Sequence, residues 1–216
     1  MHKCYEDKKM ILKNCKYIIT QDKDRLILEN QDIEIINGKI TKISKNINSK
    51  DTDVHDFSNK VVMPGMINTH AHLPMTLFRG YSDDLGLHDW LKKMLAMEAK
   101  LTKEHVYWGT KLGLLEGIQF GTTTFADFSY FPYKRAEAMI ETGVNGFLDS
   151  AVHDMPGFFK TPQHAIDHSE KFIKDMLKEK KVTPIATAHS IYLCSKDTLQ
   201  QMNNIAKKYG VLKRIH

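Results

Sequence analysis

Two imidazoles stand two positions apart in Pro64-Gly65-Met66-Ile67-Asn68-Thr69-His70-Ala71-His72, at the end of an apolar run. On an extended strand, side chains two apart point to the same face. Two imidazoles that converge in this way can bind one metal ion between them. An isolated His-x-His is weak evidence for such a site. The setting strengthens it: Pro-Gly leads into a buried strand, and the pair falls at its C-terminal end. In a barrel of parallel strands that end is the mouth, where active sites are built.

The elements that must position this pair follow from the pattern around it. A strand is predicted near 62–69, with further strands near 122–128, 146–152, 183–189 and 211–216. A loop and a short helix are predicted between Leu73 and Lys100. Longer helices are predicted from Thr102 to the break at Gly121, over Lys134–Thr142, over Thr161–Lys180 and over Ser195–Tyr209. Thr102 and Ser195 stand at the starts of two of these helices, and Gly143 and Gly210 stand past the ends of two. Strands alternating with helices argue for parallel β/α units. Four complete units and the start of a fifth give an α/β class, an incomplete (β/α)8 barrel of the TIM type. The chain has 216 residues, fewer than the about 250 a complete barrel takes. Upstream, short alternating strands and the hairpin signal Asn37-Gly38 predict a small antiparallel β lobe. The expected division is a lobe over 1–60 and a half-barrel over 61–216.

Composition removes several function classes. The net charge is +5, but the 31 Lys and Arg are dispersed, which argues for a solvated surface and against nucleic acid. Cys4, Cys15 and Cys194 are odd in number and lack close metal-ligand spacing, so reduced thiols are expected. The charged start of the chain has no apolar signal core, and no apolar run reaches the roughly 18 residues of a membrane span. A soluble, cytoplasmic protein without a membrane partner is expected.

Several stretches resemble, in order, the amidohydrolase superfamily and within it the branch of triazine hydrolases and methylthioadenosine/S-adenosylhomocysteine deaminases. They are Asn37-Gly38-Lys39-Ile40, Val61 to Leu73, Phe78 to Leu85, Glu116 to Asp127 and His189-Ser190-Ile191-Tyr192-Leu193-Cys194-Ser195. The resemblance implies one divalent ion, zinc or iron, that activates water for attack on an sp² carbon. It implies a small-molecule substrate and hydrolytic deamination or dechlorination of an aromatic or nucleoside-like compound. It also implies a homodimer for a full-length member. His70 and His72 become the first two ligands. In Gly210-Val211-Leu212-Lys213-Arg214-Ile215-His216 the last residue falls at the position of a third ligand. For His216 two readings stand, that ligand or a frayed terminal residue. His189 and Asp89 fall at substrate-binding positions, although Asp89 stands where nucleoside deaminases carry a longer Glu. The family's catalytic Glu and Asp would lie beyond His216, so no catalytic acid or base is assigned. The alternative is an inactive fragment or a non-catalytic metal-binding module.

The remaining candidates are read as structural. His88, His105, His153, His164 and His168 show no partner pattern and are expected on the surface or in loops. Trp90 and Trp108 are expected to anchor packing. Lys213 and Arg214 are unexpected on a strand that should lead into a barrel interior.

Overall fold

The computed structural model describes residues 9–48, 52–155 and 158–216. Cys4 and the rest of the charged start of the chain lie outside the described residues. The chain divides into two compact units, Met1–Pro64 and Gly65–His216.

In the first unit β1 (Lys9–Ile19) pairs antiparallel with β2 (Ile27–Ile36), and β2 pairs antiparallel with β3 (Lys39–Ser44). Asn37 and Gly38 both take positive φ, 51° and 73°, as an Asn-Gly hairpin turn requires. The lobe is not antiparallel throughout. Two short strands, β4 (Asp53–Asp56) and β5 (Val61–Val62), run parallel to β1. The pairing of Val61 and Val62 with Tyr17 and Ile18 carries the first unit on to Pro64. The pairing of β1 with β2 is interrupted by a register shift between Leu12 and Cys15. Asn14 sits in that bulge with φ 57°. There the buried Asp32 carboxylate accepts from the Asn14 N–H at 2.8 Å, the Ile47 N–H at 2.8 Å and Lys13 Nζ at 2.7 Å.

The second unit alternates strand and helix. Strands β6 (Met66–Ala71), β7 (Thr122–Asp127), β8 (Asn145–Leu148) and β9 (Val182–Pro184) lie side by side in sequence order, all parallel. The expected strand over 183–189 is broken at Ile185. Its second part, β10 (Ala186–Ala188), pairs parallel with β11 (Lys213–Ile215). Pro184 supplies no N–H, and at Ile185 the backbone changes partner. The Ile185 N–H donates to Leu148 O and the Ala186 N–H to Leu212 O.

After β6 come a short 3-10 helix (Leu73–Phe78), α1 (Leu87–Glu98) and α2 (Lys103–Gln119). Then α3 (Pro132–Thr142), α4 (Pro162–Met176) and α5 (Lys196–Tyr209) each follow a strand. Thr102, Thr161 and Ser195 cap α2, α4 and α5 by accepting backbone N–H bonds. His105 completes a capping box, its ring accepting from the Thr102 N–H. Gly143 and Gly210 end α3 and α5 in the left-handed conformation.

Two apolar clusters fill the space between sheet and helices. One joins Leu114, Phe125, Met139, Leu148 and Phe172, and the other Val152, Ile166, Ile173, Ala186 and Ile205. Contrary to expectation, β6 is not buried: Met66 and Ile67 are 48% and 65% exposed. It ends the sheet order, so among the described residues one of its edges has no paired strand. Trp108 is likewise exposed, and among the described residues it joins none of the buried apolar clusters.

Three glycines four residues apart, Gly109, Gly113 and Gly117, share one face of α2. They let the helix press against the segment that leaves the histidine pair. A Cβ on Gly109 would stand 2.8 Å from the Pro74 carbonyl oxygen, and one on Gly113 2.8 Å from the Leu73 side chain. One on Gly117 would overlap the Phe125 ring. Gly117→Ala should therefore cost about 1–3 kcal/mol, the range for overpacking a filled core. A urea titration checks this, and an unchanged midpoint would contradict it.

Candidate metal centre

The His70–His72 pair sits at the C-terminal end of β6. His70 lies within the strand and His72 immediately after it, at the start of the 3-10 helix. Their Nε2 atoms are 3.2 Å apart. His216 follows β11 directly, and its Nε2 lies 2.9 Å from that of His72. One ligand atom from each of the three rings falls within a span of 4.8 Å. Two nitrogens bound to one tetrahedral zinc at the usual Zn–N length are separated by about 3.3 Å. The spacing therefore fits a shared ion with small side-chain adjustments.

The orientation of His72 is fixed from behind. Its Nδ1 lies 2.9 Å from the carbonyl oxygen of Phe128, just past the end of β7. Only a protonated Nδ1 can donate to that oxygen, which leaves the Nε2 lone pair facing the other two rings. Burial lowers the pKa of His72, with smaller opposing and reinforcing effects from its neighbours. Burial, reinforced by His189, His72, His70 and Arg214, pushes His216 down to about 4. Near neutral pH both are uncharged imidazoles, the form that binds metal.

His189 adjoins this group at the end of the fourth strand. Its ring centre is 4.6 Å from that of His216 and 5.3 Å from that of Phe128. Burial, then His153 and His72, push it down to about 4. Asp127, at the C-terminal end of β7, is fully buried and holds the turn after His72. Its Oδ1 accepts the Leu73 N–H at 2.7 Å, and its Oδ2 accepts Arg135 Nη1 at 2.9 Å.

Asp89 is not brought to this group. It is exposed in the first turn of α1, and none of the ring contacts or hydrogen bonds of the cluster involves it. Glu98, the last residue of α1, is half-buried, and burial raises its pKa. Its charge reaches Tyr130, whose hydroxyl is pushed up to about 12 by burial and then by Glu98. The Tyr130 hydroxyl lies 3.1 Å from His153 Nε2, and the His153 ring is 6.3 Å from His189. His153 is thus half-buried beside the cluster and not at the surface. His168 is also half-buried, its Nδ1 2.9 Å from Ser150 Oγ. His88, His105 and His164 are exposed, as expected. Glu98 could not be singled out in the sequence, because no spacing links it to Tyr130.

Arg214, anomalous on a barrel strand, is explained by a buried partner. Its Nη2 bonds to Asp149 Oδ2 and donates to the Asp127 carbonyl at 3.1 Å. Lys213, one residue away, points to the other face and donates to Asn203 at 3.0 Å.

The 5′-deoxyadenosine deaminase of Methanocaldococcus jannaschii is 42% identical over 193 residues, spanning 87% of this chain and 46% of that protein. The 5-methylthioadenosine/S-adenosylhomocysteine deaminase of Aquifex aeolicus is 37% identical over 188 residues, spanning 86% of this chain and 44% of its own length. The chain thus spans about half the length of the curated relatives it matches. A crystal structure of an adenosine deaminase from Xanthomonas campestris with bound zinc superposes with a TM-score of 0.85 at 20% identity, over 99% of this chain and 50% of that one. That likeness bears on the fold: the parallel β/α units form part of a larger barrel architecture. Residues 61–216, the stretch that carries the strands, the helices and the three converging histidines, match the amidohydrolase family, and the chain belongs to it.

Proposed function

We propose that His70, His72 and His216 hold one divalent ion, zinc or iron, in a site for hydrolytic deamination of a nucleoside-like substrate. The observation that carries this reading is the convergence of three imidazole nitrogens within 4.8 Å at one end of a parallel sheet. The chemistry such an ion supplies is activation of water near neutral pH. The protein's own residues do the rest. Phe128 fixes the tautomer of His72, and Asp127 fixes the turn that follows it. His189, uncharged at neutral pH, stands beside the cluster where it can hydrogen-bond a substrate ring nitrogen.

The choice of an adenosine-type substrate rests on the names of the relatives and on Glu98. The Glu98 charge acts on Tyr130, whose hydroxyl lies 3.1 Å from His153 Nε2 beside His189, and a carboxylate acting there suits a sugar's hydroxyls. We assign to Glu98 the hydroxyl-binding role that the sequence suggested for Asp89. Glu98→Gln should weaken binding of 5′-deoxyadenosine to the zinc-loaded protein by roughly 10–100-fold, the worth of a hydrogen bond to a charged group. Calorimetry measures this, and Asp89→Asn should leave the affinity unchanged. The reverse pattern would return the role to Asp89. Cys15 and Cys194 are free and buried, which suits the reducing cytoplasm we propose as its compartment.

A non-catalytic metal-binding module is the second reading. It is favoured by one observation: among the described residues, the donor cluster contains histidines and no carboxylate. Ammonia release from 5′-deoxyadenosine, methylthioadenosine and S-adenosylhomocysteine, compared between wild type and His72→Ala, separates the two. Any turnover should disappear in His72→Ala. Turnover indifferent to His72 contradicts the proposed site, and zinc binding without turnover supports the second reading.

A further inference from the structure

We propose that Arg214 is a positioning residue that sets the third metal ligand, His216, by clamping its strand to the two carboxylate-bearing strand ends opposite. The proposal rests on the reading of the three histidines as a metal site. Arg214 and His216 are two apart, so both side chains enter the same face of β11. Ladder pairing alone holds this strand weakly. β11 is three residues long, ends its sheet, and pairs with β10 at three positions. Beyond it, the His216 N–H donates to the His189 carbonyl at 2.8 Å.

Arg214 adds the cross-strand anchor. Its Nη2 bonds to the Asp149 carboxylate past β8 and to the Asp127 carbonyl at 3.1 Å on β7. Its guanidinium lies 5.8 Å from the centre of the Phe128 ring. Phe128 is the residue whose carbonyl orients His72, and its ring centre is 5.1 Å from that of His216. One guanidinium therefore touches the supports of two ligands on two different strands.

A purely structural filler would not take this form. Barrel interiors are normally filled by branched apolar side chains. Arg214 instead keeps Nε and Nη1 buried without a partner among the described residues, while Asp149 is fully buried. Unsatisfied buried donors are destabilising. What an arginine supplies there that a leucine cannot is a directional, charge-assisted link between strands.

The test measures metal binding and not turnover. Zinc affinity is measured by competition with a chromogenic chelator, and the geometry by visible absorption of the cobalt form. Wild type, His72→Ala, Arg214→Met, Arg214→Lys and Asp149→Asn are compared. Arg214→Met should weaken zinc by about 10–100-fold, as loss of an outer support does, and shift the cobalt bands. Arg214→Lys should recover part of the loss, because an ammonium reaches Asp149 without the guanidinium's fork. Asp149→Asn should weaken zinc in the same direction, which keeps the proposal testable should Arg214→Met fail to fold. If Arg214→Met or Asp149→Asn lowers the thermal midpoint but leaves zinc affinity and cobalt bands unchanged, the clamp is merely structural and the proposal is wrong. If His72→Ala binds zinc as tightly as wild type, the metal site itself is wrong. Loss in His72→Ala with no change in Arg214→Met refutes the Arg214 role alone.

Discussion

Arg135→Met should lower folding stability by about 3–5 kcal/mol, the cost of removing one partner from a buried ion pair. Arg135 rises from α3 and is fully buried, as are Asp127 and Asp149. Its Nη1 meets Asp127 Oδ2 at 2.9 Å, and its Nη2 lies 3.8 Å from Asp149 Oδ1. It also donates to the carbonyls of Tyr130 at 3.1 Å, Ser129 at 2.5 Å and Asp149. Methionine fills similar space but leaves those carbonyls and the Asp127 carboxylate short of donors. Urea unfolding at constant m-value measures the loss. A change below about 1 kcal/mol would mean that these groups find water when the arginine goes, and that the network is not sealed.

The second large effect is on metal. His72→Ala should weaken zinc binding by more than the about 10–100-fold that follows loss of an outer-shell partner, because it removes a ligand and the one ring within 3.2 Å of both others. His88→Ala, on an exposed turn of α1, should leave zinc affinity unchanged. Equal affinity in wild type and His72→Ala would place any bound zinc elsewhere.

Much of this could be read from the residues. The Asn37-Gly38 turn, the alternation of strand and helix, and the caps at Thr102 and Ser195 depend on local chemistry, and the structure has them where the sequence puts them. His70 and His72 were legible because strand alternation alone puts them together. His216 was legible only through resemblance, since 144 positions separate it from His72 and no local pattern joins them.

What was not legible depends on long-range placement. Val61 and Val62 read as the start of the barrel strand, yet they pair with β1, because two short apolar runs split by Pro64-Gly65 can belong to two different sheets. The exposure of β6 follows from its place at the end of the sheet order and not from its composition. Arg214 looked wrong for a barrel interior because its partners, Asp127 and Asp149, lie 87 and 65 positions away. Glu98 was not singled out, since no local spacing links the last residue of α1 to Tyr130.

X-ray absorption at the zinc edge of the loaded protein tests the central claim most directly, because it counts the ligands the three histidines are held to provide. Wild type should show nitrogen neighbours at about 2.0–2.1 Å with the outer-shell scattering of three imidazoles, and His216→Ala should show two. Identical spectra from wild type, His70→Ala and His216→Ala, or a sulfur neighbour at about 2.3 Å, would contradict it.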